Sequence, residues 1–164
     1  MDLTGLKWCK NVNHQGTDKY WAYNDNFTSR MFLLNWRSVY KENAHKPKEG
    51  ELILLRQHAK ITHIVKLLNH VIYADGSDSE FNIGRLVQVV WITNNWDNLP
   101  SNEDIFGCPV IFPPNGKVIS LENKEDFEQH WHISKNGWLE FQNHVQEKLN
   151  RFDGNWYQPL IHLG

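Results

Sequence analysis

The clearest pattern in the chain lies between residues 51 and 93, where apolar residues gather into runs of strand length. Glu51–Gln57 (ELILLRQ) is a continuous run, followed by a short break at His58-Ala59. Lys60–Leu68 (KITHIVKLL) then sets Ile61, His63, Val65 and Leu67 against Thr62, Ile64, Lys66 and Leu68. Neither phase is purely polar, the pattern of a strand covered on both faces. Val71–Ala74 extends this ribbon, Asp75–Ser79 (DGSDS) is a turn, and Arg85–Thr93 (RLVQVVWIT) is a third long strand.

The flanking segments are less regular. Residues 1–18 are polar and turn-rich (Asn11, Asn13, Gly16, Asp18) and read as an N-terminal arm, and Lys19–Asn24 (KYWAYN) reads as a first strand. In Met31–Asn43 (MFLLNWRSVYKEN) the apolar residues fit helical spacing at least as well as alternation. Asn26–Thr28 offers caps ahead of it, so a helix is expected there. His45–Gly50 is a loop, and Asn94–Gly107 a long polar loop around Trp96, Leu99-Pro100 and Phe106. Pro109–Phe112 and Lys117–Leu121 are two short strands joined by a turn that ends in Asn115-Gly116. Asn123 is placed to cap a helix over Lys124–Trp131, and Asn136 to cap another bearing Trp138, Phe141, Val145, Leu149 and Phe152. Strands through the middle with helices at the ends predict an α+β protein, a small β-barrel of about five to six short strands with flanking helices.

Composition narrows the classes. A chain of 164 residues suits one domain, and 40% hydrophobic with 22% charged residues is a globular balance. The longest apolar run, Leu52–Leu55, is far short of the roughly 20 residues that span a bilayer. The first residues, MDLTGLK, have neither a basic nor an apolar signal region, so no signal peptide is expected. Cys9 and Cys108 make no disulfide framework and no CxxC zinc spacing, which points to a reducing cytoplasm. A net charge of −2 excludes a massively basic nucleic-acid coat but not a local basic face.

Catalytic signatures are missing: there is no GxSxG, no phosphate-cradling glycine motif and no HExxH. His130-Trp131-His132 is an HxH without a third ligand, His58 and His63 flank a strand start, and Asp75, Asp78 and Glu80 lack the calcium-loop spacing, so no metal or other cofactor is expected. Asp97, Glu103 and Asp104 near Trp96 are the carboxylates that a metal-dependent nuclease or RNA-processing hydrolase would use. No catalytic residue is assigned.

Binding chemistry is better represented. Eight tryptophans exceed the needs of one core, and Trp is rarely fully buried. Trp131, Trp138 and Trp156 belong to the helical end and Trp91 to a regular strand, all packing positions. Trp21, Tyr23, Trp36 and Trp96 are the aromatic residues set to line a base pocket, with Gln57 and Asn95 carrying the paired donor and acceptor that read a base edge. Lys46, Lys48, Arg56, His58 and Lys60 are the candidates for phosphate contacts. A protein-interaction module with exposed aromatics is the other reading of the same residues.

The order KYWAYN, NWRSVY, Gly50-Glu51, LILLRQ, ITHIVKLL, RLVQVVWI, PVIF, KVISL and NKEDFEQHW resembles the PUA-like superfamily, in particular its EVE and YTH-type domains. There, a Gly-acidic turn opens a hydrophobic strand, a polar break follows, and the next strand leads on round the barrel. The resemblance implies a domain over residues 19–152, with 153–164 as a tail or the start of a linker. It also implies a partner, DNA or RNA carrying a modified and typically methylated base, flipped into an aromatic cage at the barrel mouth. On that basis Trp21, Tyr23 and Trp36 are the walls, Trp96 closes the pocket, and Gln57 and His58 follow the Gly-acidic strand. Such readers often serve a linked nuclease or ATPase effector, as in modification-dependent restriction or RNA regulation.

Overall fold

Ile53–Leu55 and Ile61–Val65 are buried throughout, so the two runs that read as doubly covered strands lie at the centre of a sheet. The computed structural model describes residues 2–12, 21–23, 30–74, 76, 80–113 and 115–158. The central pair is β3 (Leu52–Gln57) and β4 (Lys60–Leu67), antiparallel. Beyond β4 comes β6 (Ile83–Thr93), then β2 (Met31–Trp36); beyond β3 come β1 (Leu6–Asn11) and β7 (Val118–Ser120). β5 (Tyr73–Ala74) and β8 (Gly154–Trp156) pair with the two ends of β6. Among the described residues only the β1–β3 ladder is parallel. The helices are α1 (Lys41–His45), α2 (Asn102–Phe106), α3 (Glu125–Trp131) and α4 (Gly137–Leu149).

Each face of the sheet has its own core. On one, Leu52, Leu54, Ile64 and Trp91 meet Phe106, Phe127, Phe141 and Val145 of α2, α3 and α4. On the other, Ile53, Leu55, Val65, Val87, Leu34 and Trp36 meet one another. That second core requires the sheet to curl. β1 and β2 stand four strands apart in the sheet, about 19 Å if it were flat. Instead Lys10 Nζ of β1 lies 4.8 Å from the Trp36 ring of β2. Asn43 of α1 holds the two edges together. Its Oδ1 accepts the Trp36 indole N–H (3.0 Å) and the backbone N–H of Val118 (2.8 Å), and its Nδ2 donates to the Val118 carbonyl (3.0 Å).

The α+β class is therefore correct, and several element assignments are not. Leu6–Asn11 is no arm but an interior strand. Lys10 is only 1% exposed, so a lysine inside a covered strand hid the apolar pattern. The expected first strand at 19–24 lies outside the described residues except for Trp21–Tyr23, which form a turn. Met31–Trp36 is a strand rather than a helix, with Phe32, Leu34 and Trp36 alternately buried, and helix begins only at Lys41. Asn94–Gly107 is not all loop: Ser101 and Asp104 form a capping box that starts α2, and Gly107 (φ 70°) ends it. Pro109–Phe112 forms no strand. Residues 154–156, expected in a tail, are β8. Asn123 does not cap α3, and Asn136 precedes α4 without a side-chain cap bond.

Two outcomes follow from this interior. Asn43→Ala breaks three buried hydrogen bonds and strands the Trp36 indole; chemical denaturation should show a loss of at least about 2 kcal/mol. Asn143→Ala, at an exposed position on α4, should stay within about 0.5 kcal/mol. Among the described residues Lys10 has no acidic partner and donates to the Gly116 carbonyl at 2.6 Å, and burial pushes its amine down to about 7. Between that value and the ordinary 10.5 the unfolded chain holds a proton that the folded one lacks. Stability should therefore rise with pH across this window, by up to about 1.4 kcal/mol per pH unit. Denaturation curves of Lys10→Met should lose that slope.

Candidate functional site

One end of the curled sheet is built by the β3–β4 hairpin. Its turn residues His58 (φ 51°) and Ala59 (φ 62°) are both left-handed, the geometry of a tight two-residue turn that matches strand twist. Just inside it the ladder is irregular: Leu55 faces His63 and Arg56 faces Ile61, leaving Thr62 as an extra residue. Such a bulge re-aims side chains. Thr62 and His63, which a regular strand would send to opposite faces, meet with Oγ1 and Nδ1 2.8 Å apart. Gln57 Nε2 donates to Thr62 Oγ1 (3.0 Å), and Gln57 Oε1 accepts the backbone N–H of Ala22 (2.5 Å). Gln57, Thr62 and His63 are all buried.

The Ala22 bond fixes the segment that carries Trp21 and Tyr23 across the mouth. Tyr23 lies 4.7 Å from Phe32, and its hydroxyl donates to Asn35 Oδ1 (3.2 Å) and accepts the Asn35 backbone N–H (2.9 Å). Trp21 is 5.0 Å from His58 and 5.2 Å from Trp96. Trp96 is 6.0 Å from His63, and His63 is 6.0 Å from Phe32. Trp96 is held by the turn after β6, where Thr93 Oγ1 accepts the Asn95 N–H (3.1 Å) and Asn95 Oδ1 accepts the Asp97 N–H (3.0 Å). The indole N–H of Trp96 is buried with no hydrogen-bond partner among the described residues. Burial pushes His63 down to about 3, leaving the ring neutral at ordinary pH.

The structure thus brings together Trp21, Trp96, Gln57 and His58, with Tyr23 beside them through Phe32. It does not include Trp36, which is fully buried and committed to Asn43. Asn95 adjoins Trp96, but its side-chain oxygen shapes the turn. The five basic residues do not form one patch. Lys60 starts β4 next to His58 at the mouth. Arg56 bonds Asn102 Oδ1 (2.7 Å) and lies over the Phe112 ring, within the helix-side layer. Lys46 and Lys48 precede β3, whereas His58 follows it, a separation of about 20 Å along the strand. Thr62 and Phe32 were missed as site residues, and His63 was noted only as a possible metal ligand; its burial depends on a bulge that no local pattern announces.

Other candidate chemistry is structural. Asp104 caps α2, and hydrogen bonds from Ser101 hold its carboxyl below the usual range. Cys108, Pro109, Asp126, Gln129 and His130 line an open groove on the helical side, where burial and Asp126 raise the Cys108 thiol. Among the described residues no group of three His, Cys, Asp or Glu side chains could hold a metal ion, and no helix is long and apolar enough to cross a membrane.

The arrangement defines an α+β protein with a curled, helix-backed sheet and an aromatic cluster at one end. No family model matches the chain, and neither does any curated protein or solved structure.

The buried imidazole also sets an acid response. Between pH 6.5 and about 3 the unfolded chain binds a proton that folded His63 refuses, so stability should be lost as pH is lowered through that range. His63→Gln should flatten this limb in denaturation curves measured from pH 7 to pH 4.

Proposed function

We propose that this chain is a nucleic-acid-binding module that takes a base onto the aromatic cluster at the hairpin end. The observation that carries the reading is the contiguity of Trp21, Trp96 and His58, half-buried or exposed, around an indole N–H that has no partner among the described residues. Stacking on such rings contributes about 1–3 kcal/mol per base, and Lys60 beside His58 supplies a phosphate contact. At 5.2 Å, Trp21 and Trp96 are too close for a base to be sandwiched, which takes about 7 Å. A base therefore stacks on the outer ring face or enters as Trp21 swings aside. The resemblance to PUA-like EVE and YTH-type domains supports a modified, methylated base as the target, with a nuclease or ATPase as effector. The free thiols of Cys9 and Cys108 suit a cytoplasmic setting.

Tryptophan fluorescence during titration with DNA and RNA oligonucleotides, with and without methylated cytosine or adenine, tests the proposal. Quenching at low salt is expected. Trp21→Ala and Trp96→Ala should each weaken binding about 5- to 150-fold, while Lys48→Ala, at the far end of β3, should change it less than twofold. Absence of binding to every oligonucleotide at low salt would overturn it.

A further inference from the structure

The hydrogen-bond chain behind the aromatic cluster has a direction. A backbone N–H can only donate, so the Gln57 atom facing Ala22 is the oxygen, and the Gln57 atom facing Thr62 is the NH2 group. Thr62 Oγ1 therefore accepts from Gln57. Among the described residues its one remaining partner is His63 Nδ1. The hydroxyl proton goes there, which makes Nδ1 the acceptor and places the ring proton on Nε2. The ring is neutral, so it carries that single proton. Nε2–H has no hydrogen-bond partner among the described residues, and the indole N–H of Trp96, in the neighbouring ring 6.0 Å away, has none either.

We infer that the Gln57–Thr62–His63 relay makes His63 a specificity-determining donor, so that His63 and Trp96 together select a neutral planar ring offering two acceptors, the keto edge of a nucleobase. The inference rests on the base-binding proposal. Guanine offers O6 beside N7, and thymine or uracil carries two carbonyl oxygens and no amino group, whereas on adenine N1 and N7 each lie beside the N6 amino donor and N3 lies against the sugar. Stacking on its own already gives a modest preference for pyrimidine runs. The signature of the donor pair is therefore a larger thymine preference that depends on Thr62. His63 is 1% exposed beside Trp96 and Phe32, so a base reaches it only when the aromatic side chains over it shift.

Two measurements separate this inference from the proposal beneath it. Nitrogen-15 shifts of the His63 ring in the free protein report the tautomer without any ligand. The Nε2–H form is expected in the native protein and in Thr62→Ser, with loss of that fixed state in Thr62→Val; an Nδ1–H form in the native protein overturns the relay. Oligothymidylate should bind at least about tenfold more tightly than oligoadenylate, the worth of one hydrogen bond. Thr62→Ser should keep that preference and Thr62→Val should reduce it to about twofold. Equal binding of the two oligonucleotides by the native protein, with the Nε2–H form confirmed, overturns the selection. Binding of neither overturns the base-binding proposal and leaves the tautomer result to decide the relay.

Discussion

A single amide side chain joins the two edges of the sheet. Asn43 occupies the position that a neighbouring strand would take beside β7, satisfying both the N–H and the C=O of Val118, while its oxygen also takes the indole proton of Trp36 from β2. An edge strand with unpaired backbone groups invites unwanted pairing. Here one edge is paired with a side chain, and the same contact sets the curvature. α1 is in turn anchored by buried Arg85, whose Nη1 donates to the carbonyls of Ala44 (2.7 Å) and Pro47 (2.8 Å) and whose Nη2 donates to that of Asn69 (2.7 Å). The five-residue helix matters for where it holds Asn43, not for its own stability, which is marginal at that length.

Curling has consequences for polar groups inside. Lys10, Leu55 and His63 are register partners across β1, β3 and β4, so two buried bases sit in one row with a leucine between them. Neither faces a carboxylate among the described residues, and both are driven toward their neutral forms by burial. Their hydrogen bonds differ. Lys10 is tied to a carbonyl of the Gly116 turn and lies over Trp36, so its end of the row is committed to structure. His63 ends a relay and faces the aromatic cluster.

The sequence made β3, β4 and β6 legible because their apolar runs are long and bounded by breaks. The packing roles of Trp91, Trp131 and Trp138 were also legible. Elsewhere a local signal competed with a tertiary one. Met31–Trp36 spaces its apolar residues for helix or strand equally, and pairing with β6 decided for strand. Leu6–Asn11 looked polar because two lysines and an asparagine share six residues, yet Lys10 is inside. The α2 start was readable as Ser101-x-x-Asp104 with Gly107 beyond, and was overlooked inside a loop assignment. Trp21, Trp96, Gln57 and His58 could be named from residue type; Thr62 and His63 could not, because a bulge places them.

What separates the tryptophans is the destination of the indole proton. Trp8 gives it to Glu51, Trp36 to Asn43, Trp131 to the Phe106 carbonyl and Trp156 to Asn150. Each of these rings is tied to its surroundings at both its apolar body and its polar edge. Trp91 leaves its N–H unpartnered within the core, where Gly154 is so close that an added Cβ would fall 2.6 Å from that nitrogen. Close packing excludes a partner there, and the cost of a lone N–H is offset by the burial of the largest side chain. Trp96 is different: its N–H also has no partner among the described residues, but the ring is half-exposed and borders Trp21 at the surface. A buried donor near the surface is the group with most to gain from a ligand's acceptor. Residue counts along the chain raised the tryptophans as a class; hydrogen-bond accounting picks out Trp96.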